Sequence, residues 1–336
     1  MAIQHPKFLA AAAQHASVLH DLPGCVEKAL AIIDEAGREG VELLAFPEAW
    51  APGYPYWAWL GPPAWGMQFV QAYHDHSIVL DGPELAQIGE AARRNKMHVV
   101  FGFSERDGGS LYLAQSLFGP DGNVIAHRRK LRPTHVERSV YGEGDGTSLA
   151  VHDTAIGRLG ALCCWEHLQP LSKYAMYSMH EQVHVASWPT LSLYEGKAYA
   201  LGPQANMAAS QVYALEGQNF VIASTSVMTQ EVRNVMSLST DQEELLALGG
   251  GYSAIFGPDG QPLGNRLAPT EEGLVIAEID LSLITLAKAA ADPSGHYARP
   301  DVTRLLLNQQ PSRPVEQLEP ALSAVETQSD DETTRN

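Results

Sequence analysis

The chain reads as an α/β protein with mixed sheets and helices covering the outer faces. Helical and strand patterns alternate along it. Two strand–turn–strand units carry the same GPDG turn, at 119–122 and 257–260. No Pro/Gly/Ser-rich linker divides its 336 residues. Residues 1–302 are expected to form one domain and 303–336 a C-terminal tail, which from about Pro311 carries few core residues, ends in SDDETTRN and is expected to be partly disordered.

The elements follow in order. KFLAAAAQHASVL faintly imitates a secretion signal, but Gln14 and His15 interrupt a short apolar run, so it is not assigned as one. From Val26 to Gly40, Val26, Ala29, Leu30, Ile33 and Ala36 share one helical face. VELLAFPEAW is a buried strand ended by Pro47. A helix over Leu85–Asn95 precedes the strand MHVVFGF. Leu111–Phe118 and Val124–His127 form a hairpin turning at Asp121–Gly122. Gly157–Cys163 is a strand, Leu171–Met179 a helix, and QVHVASWP a strand closed by Pro189. Gln204–Glu216 is a helix and NFVIASTSV a strand. A second hairpin-like unit, YSAIFGPDGQPLG then LVIAEIDL, follows, and DPSGHYARPDV reads as an ordered extended segment.

A formal charge of -17 would repel a phosphate backbone, which argues against nucleic acid as a partner. No later run approaches the roughly 18 apolar residues of a membrane helix. The three cysteines, Cys25, Cys163 and Cys164, make a poor disulfide framework and suggest a reducing cytoplasm.

Cys164 ends the strand IGRLGALCC, where side chains leave a core and face a cleft. Strand alternation turns Cys163 the other way. A nucleophilic cysteine is expected to need a depressed pKa. Glu48, after Pro47, suits a general base in an apolar pocket, and Lys130 could stabilise charge beside a thiolate. Each also has an ordinary reading: a structural cysteine, a solvated turn glutamate, a surface basic run. Glu137 follows in HVERSVYGEGDG, whose Gly142, Gly144 and Gly146 make a tight loop without the nucleotide-binding spacing. His135, His152, His167, His184 and His296 are available for a Cys–His pair, but spacing places none beside Cys164. Adjacent cysteines and the lack of HExxH argue against zinc.

Five blocks together carry a resemblance: LLAFPEAWAPGYPYWAW, HRRKLRPTHVERSVYGEGDG, LGALCCWEHLQPL, EQVHVASWP and DPSGHYARPDV. The chain resembles the nitrilase superfamily of carbon–nitrogen hydrolases, and within it the true nitrilases, over nearly its whole length to Val302. The resemblance implies a four-layer α-β-β-α sandwich and a Glu–Lys–Cys triad at Glu48, Lys130 and Cys164, with Glu137 as a further active-site glutamate. It implies no organic cofactor or metal. It implies hydrolysis of a nitrile by water to a carboxylic acid and ammonia through a thioimidate and a thioester on Cys164. Homodimers extending to larger oligomers or spiral filaments are implied as well. Tyr54, Trp59, Trp165, His167 and Trp188 are expected to contact substrate, and the WEHLQPLSKYAMYSM block favours arylaliphatic, then aliphatic, nitriles. The alternatives are cyanide dihydratase, an amidase or carbamoylase using the same triad, and a non-catalytic filament protein.

Overall fold

A computed structural model describes residues 4–313 and 315. Its first half contains β1 (Lys7–Gln14), α1 (Leu22–Arg38), β2 (Val41–Ala45), α2 (Trp57–Leu60), α3 (Pro63–Asp75), α4 (Pro83–Asn95), β3 (His98–Asp107), β4 (Ser110–Phe118) and β5 (Val124–Arg129). The second half contains β6 (Val151–Thr154), β7 (Gly157–Cys163), α5 (Pro170–Ser178), β8 (Val183–Trp188), α6 (Pro203–Gly217) and β9 (Phe220–Thr225). It continues through α7 (Gln230–Met236), α8 (Thr240–Glu243), β10 (Ala254–Phe256), β11 (Pro262–Leu263), β12 (Gly273–Asp280) and α9 (Ser282–Ala290).

The strands form two six-stranded sheets, ordered β12-β1-β2-β3-β4-β5 and β11-β10-β9-β8-β7-β6. Period-two alternation sorts their side chains into layers. Ala10, Ala12, Leu43, Ala45 and Val100 of the first sheet meet Leu159, Val183, Val185, Phe220 and Ile222 of the second. The opposite face of the first sheet packs Leu44, Val99, Phe101 and Phe118 against Ile32, Ile33, Ile88 and Ala92 of α1 and α4. On the outer face of the second, Leu162, Ala186, Trp188 and Val221 meet Met176 and Tyr213 of α5 and α6. The result is the expected α-β-β-α sandwich.

Four helices lie within a few residues of the expected places, and each begins with proline at its first or second position. Pro lacks an N–H that the first helical turn could not use, so these helices start there. One unassigned stretch gains an element and two expectations change. KFLAAAAQ is the strand β1, paired with both β2 and β12. Its fully buried alanines 10 to 13 belong alternately to the core between the sheets and the core under α1 and α4. The second hairpin closes only as β10–β11; LVIAEIDL forms β12 and joins β1 in the other sheet. The segment 292–302 is a run of turns rather than extended chain. Of the expected tail, residues 308–312 lie against the domain through Gln309 on the Leu149 carbonyl and Ser312 on Asp145. Residue 314 and residues 316–336, including SDDETTRN, lie outside the described residues.

Candidate active site

The strand ends of both sheets supply the site. β2 runs out through Phe46 and Pro47 and delivers Glu48 into the interior, where it is 1% exposed. Gly102 of β3 permits this path: a Cβ there would lie 2.1 Å from the Pro47 carbonyl oxygen. Lys130 extends β5 by one residue, its N–H bonded to the Leu113 carbonyl at 2.7 Å. The glycine loop then folds back on it: Gly144 donates to the Lys130 carbonyl at 2.8 Å, and a Cβ on Gly144 would strike the Arg129 carbonyl at 2.4 Å. Glu137 sits in the short 3-10 helix His135–Ser139, in a capping box with Thr134.

These three side chains meet in the interior. Lys130 Nζ donates to Glu48 Oε1 and Glu137 Oε2, both at 2.8 Å. The two carboxylates are not equivalent. Glu137 also accepts from the Thr134 N–H at 2.6 Å and from the Tyr54 hydroxyl at 2.6 Å, so both its oxygens are engaged. Glu48 Oε2 is buried without a protein partner. Burial pushes the Glu48 carboxyl up to about 8 against the pull of Lys130, with Glu137 adding to the rise. Burial opposes the charge on Lys130, but Glu137 and Glu48 outweigh it and hold the ammonium well above its usual range. Geometry therefore gives Glu48 the spare basic oxygen and leaves Glu137 to anchor the lysine.

Cys164 begins the 3-10 turn Cys164–Leu168 directly after β7, with φ 46°. A non-glycine residue in that left-handed region is uncommon and costs about 1–3 kcal/mol, so the surroundings must hold it. Strand alternation turns Cys163 inward, within 3.7 Å of Arg128 Nη1, while Cys164 joins the opposite face. The expected low thiol pKa is not found. Burial and then Glu48 push the Cys164 thiol well above its usual range, opposed by Lys130 and by the Trp165 N–H. A resting thiol beside a carboxylate of raised pKa needs only to pass its proton to that base during attack.

Two site residues escaped the sequence analysis. Arg128 forms a bidentate ion pair with Glu166 at 2.7 and 2.8 Å, both buried. Burial alone would raise the Glu166 carboxyl, but Arg128 and the N–H groups of Cys163 and Leu131 hold it below the usual range. The pair thus ties the cysteine turn to the chain just after Lys130. The signal was available: along a strand, Arg128 and Lys130 point to one face and Arg129 to the other. Arg129 is indeed the outward member, pairing with Glu105 and lying 3.6 Å over the Tyr112 ring. Arg128→Met would leave Glu166 buried and unpaired. It is expected to cost about 3–5 kcal/mol in urea unfolding, and an unchanged midpoint would show that the pair is dispensable.

A narrow cavity of about 30 Å³ reaches Cys164 and Glu137, lined also by Tyr54, Trp59, Trp165, Thr190 and Asn206. A wider one of about 390 Å³, lined by His135, Val136, Tyr194 and Lys197, shares Trp59, Trp165 and Leu201 with it. Trp59 stacks on His135 and donates to the Tyr54 hydroxyl at 3.0 Å. Trp165 donates to Asn206 at 2.9 Å. Two of the expected substrate contacts do not line either cavity. His167 is buried against Trp188, and its nitrogens face the Cys164 carbonyl and His184. Trp188 points from β8 into the α5–α6 layer, where its indole donates to Ser210. Among the described residues no cluster of three or more His, Cys, Asp or Glu is placed to hold a metal ion.

Residues 9–289 match the family described as carbon–nitrogen hydrolase. An aliphatic nitrilase of Rhodococcus rhodochrous is 52% identical over 309 residues, 92% of this chain and 84% of the relative. An arylacetone-specific nitrilase of Alcaligenes faecalis is 50% identical over 299 residues, 89% and 84% of the two chains. In fold, the chain is similar to Saccharomyces cerevisiae Nit3, a nitrilase-superfamily member, with a TM-score of 0.67 and 17% identity, covering 87% of this chain and 96% of that one. A carbon–nitrogen hydrolase of Helicobacter pylori gives a TM-score of 0.68 at 18% identity, covering 88% and 97%.

Proposed function

The chain belongs to the carbon–nitrogen hydrolase family, and from that premise we propose that it converts nitriles to carboxylic acids and ammonia with Cys164 as nucleophile. The observation that carries this reading is the buried Glu48–Lys130–Glu137 cluster electrostatically coupled to Cys164 at the end of a cavity. The Cys164 sulfur attacks the nitrile carbon as its proton passes to Glu48. The nitrile nitrogen gathers negative charge and takes a proton from the side of Lys130, giving a thioimidate. Glu48 passes the thiol proton on to Lys130, replacing the one given to nitrogen. As a carboxylate it then draws a proton from water, which adds to the same carbon. Both water protons end on nitrogen, and ammonia leaves a thioester. A second water releases the acid and restores the thiol. The sum is one nitrile and two waters to one acid and one ammonia.

The narrow inner cavity suits the linear nitrile end of a substrate. The outer cavity, with Trp59, His135, Trp165 and Tyr194 in its wall, suits an aromatic or bulky aliphatic substituent. This supports arylaliphatic nitriles first and aliphatic ones next. The test is a panel of arylacetonitriles, aliphatic nitriles, cyanide and amides, with ammonia, acid and amide each quantified. Faster release of ammonia from amides or cyanide than from any organic nitrile would overturn the reading. Within that panel, Trp59→Ala is expected to shift the ratio of arylaliphatic to small aliphatic rates by about 10-fold, since cavity walls discriminate by about 1–3 kcal/mol. An unchanged ratio would remove Trp59 from the substrate wall.

Copies of the chain are inferred to associate. Exposed Leu171 on α5 and Val212 and Leu215 on α6 support this, because such apolar side chains on neighbouring helices favour a covered face. The free, buried state of all three cysteines supports a reducing compartment such as the cytoplasm. Among the described residues no helix is long and apolar enough to cross a membrane.

A further inference from the structure

Behind the cysteine turn runs a buried chain of titratable groups that the reaction above does not use. His167 Nδ1 lies 2.6 Å from the Cys164 carbonyl oxygen. His167 Nε2 lies 2.9 Å from His184 Nε2, and His184 Nδ1 lies 2.7 Å from Glu181 Oε1. The other Glu181 oxygen accepts from the Tyr213 hydroxyl at 2.7 Å and from the Asn219 amide at 2.9 Å. His184 and Glu181 have fully buried side chains, and His167 is 1% exposed.

The proton count of this chain follows from the geometry. A carbonyl only accepts, so His167 Nδ1 must carry hydrogen. The contact between the two Nε2 atoms then needs one further hydrogen, and so does the contact between His184 Nδ1 and Glu181. Two neutral rings supply two hydrogens, but the three links need three. The third is an added proton, shared among three places: on Glu181 as a carboxylic acid, on His184, or on His167. Without it, one link is lost. Either two bare ring nitrogens face each other, or His184 Nδ1 turns a lone pair on the Glu181 carboxylate, or His167 Nδ1 turns one on the Cys164 carbonyl.

We propose that Glu181, His184 and His167 are a positioning chain that stores one buried proton and uses it to hold the Cys164 carbonyl, and with it the left-handed turn of the nucleophile. The inference rests on Cys164 being the reactive thiol. Because His167 reaches the backbone of Cys164 and not its sulfur, the chain acts through the turn. The left-handed φ of 46° is what such a hold would stabilise. The environment favours the proton on Glu181. Burial pushes its carboxyl up to about 8, while burial and then His184 push His167 down to about 3. His184 is also held well below its usual range, by burial and then by Arg128, against Glu166. The groups facing Glu181 are His184 from β8, Tyr213 and Asn219 from α6 and its exit, and the more distant Tyr177 of α5, beside Glu216. All of these except Glu216 are neutral when Glu181 holds the proton, so the contact with His184 is an acid–imidazole hydrogen bond and not an ion pair.

Glutamine reproduces a protonated glutamate here: its amide N–H can donate to His184 while its carbonyl accepts from Tyr213 and Asn219. It cannot reproduce a carboxylate. The experiment compares wild type, Glu181→Gln and Glu181→Ala by the rate at which iodoacetamide alkylates Cys164, followed on the Cys164 peptide by mass spectrometry from pH 6 to 9.5. Ammonia release from the best nitrile is followed in parallel. Alkylation needs no nitrile, so it decides the proposal even if the nitrile reading fails. At pH 7, Glu181→Gln is expected to keep both rates within about 3-fold of wild type, and Glu181→Ala to lose about 10-fold or more. The ratio of wild-type to Glu181→Gln rates cancels the titration of the thiol itself and is expected to fall as pH rises through about 8. A Glu181→Gln variant that is folded but as slow as Glu181→Ala would overturn the proposal, because it would show that a carboxylate is required. A ratio flat from pH 7 to 9.5 would overturn it equally.

Discussion

Cys164→Ala is expected to reduce ammonia release from the best nitrile by about 10⁴-fold or more, as removal of a nucleophile does in other covalent hydrolases. Cys163→Ala should retain most of the wild-type rate. The two residues are neighbours, yet the structure gives them different company. The Cys163 thiol points between the sheets, where it lies 3.7 Å from Arg128 Nη1. Its loss removes a small buried group and a weak acceptor, with an expected stability cost of about 1–2 kcal/mol. The Cys164 side chain lines the cavity and is coupled to Glu48 and Lys130. The measurement is kcat for both variants, with intact-mass spectra taken during turnover. A covalent adduct on the Cys163 peptide, or a Cys164→Ala enzyme within 10-fold of wild type, would remove Cys164 from its role.

The adjacent cysteines also mark how far the sequence could be read. Strand alternation turned the two side chains to opposite faces, as they are found, because period two is a local property of the backbone. The same rule, applied to HRRK, would have lifted Arg128 out of the surface run and placed it beside Lys130. Applied to VHVASW, it would have sent Trp188 toward the helix layer with His184, away from the two cavities beside Trp165. The strand β1 was illegible for a different reason. Four alanines carry little hydrophobic signal, and their value lies in small size between two cores, which only the packed sheets reveal. The physical reason why Glu48 and Glu137 differ was equally hidden. It depends on which carboxylate oxygens are already occupied, by Thr134, Tyr54 and Lys130, and no spacing encodes that.

Lys130→Met should be the most damaging change to both rate and stability together. Among the described residues the ammonium is the only cation bonded to Glu48 and Glu137, so the substitution leaves these two buried carboxyl groups without it. Breaking a buried pair of this kind costs about 3–5 kcal/mol. Loss of a preorganised donor at the developing charge costs a further 10²–10³-fold or so in kcat. The pH dependence separates this cause from simple loss of packing. Glu48 is raised to about 8 even with Lys130 present. A carboxyl raised in the folded state holds a proton that the unfolded chain releases above about 4.3, so the stability tied to it falls as pH rises from there toward the folded value. Removing the lysine raises that folded value further and carries the fall to higher pH. The variant's deficit in urea midpoint should therefore be smaller at pH 5 than at pH 8; a deficit equal at both would assign it to packing alone. Lys130→Arg is not expected to rescue either property, since a planar guanidinium does not fit a slot that closes fully around a single ammonium nitrogen. Near-wild-type kcat in either variant would take Lys130 out of the charge-stabilising role.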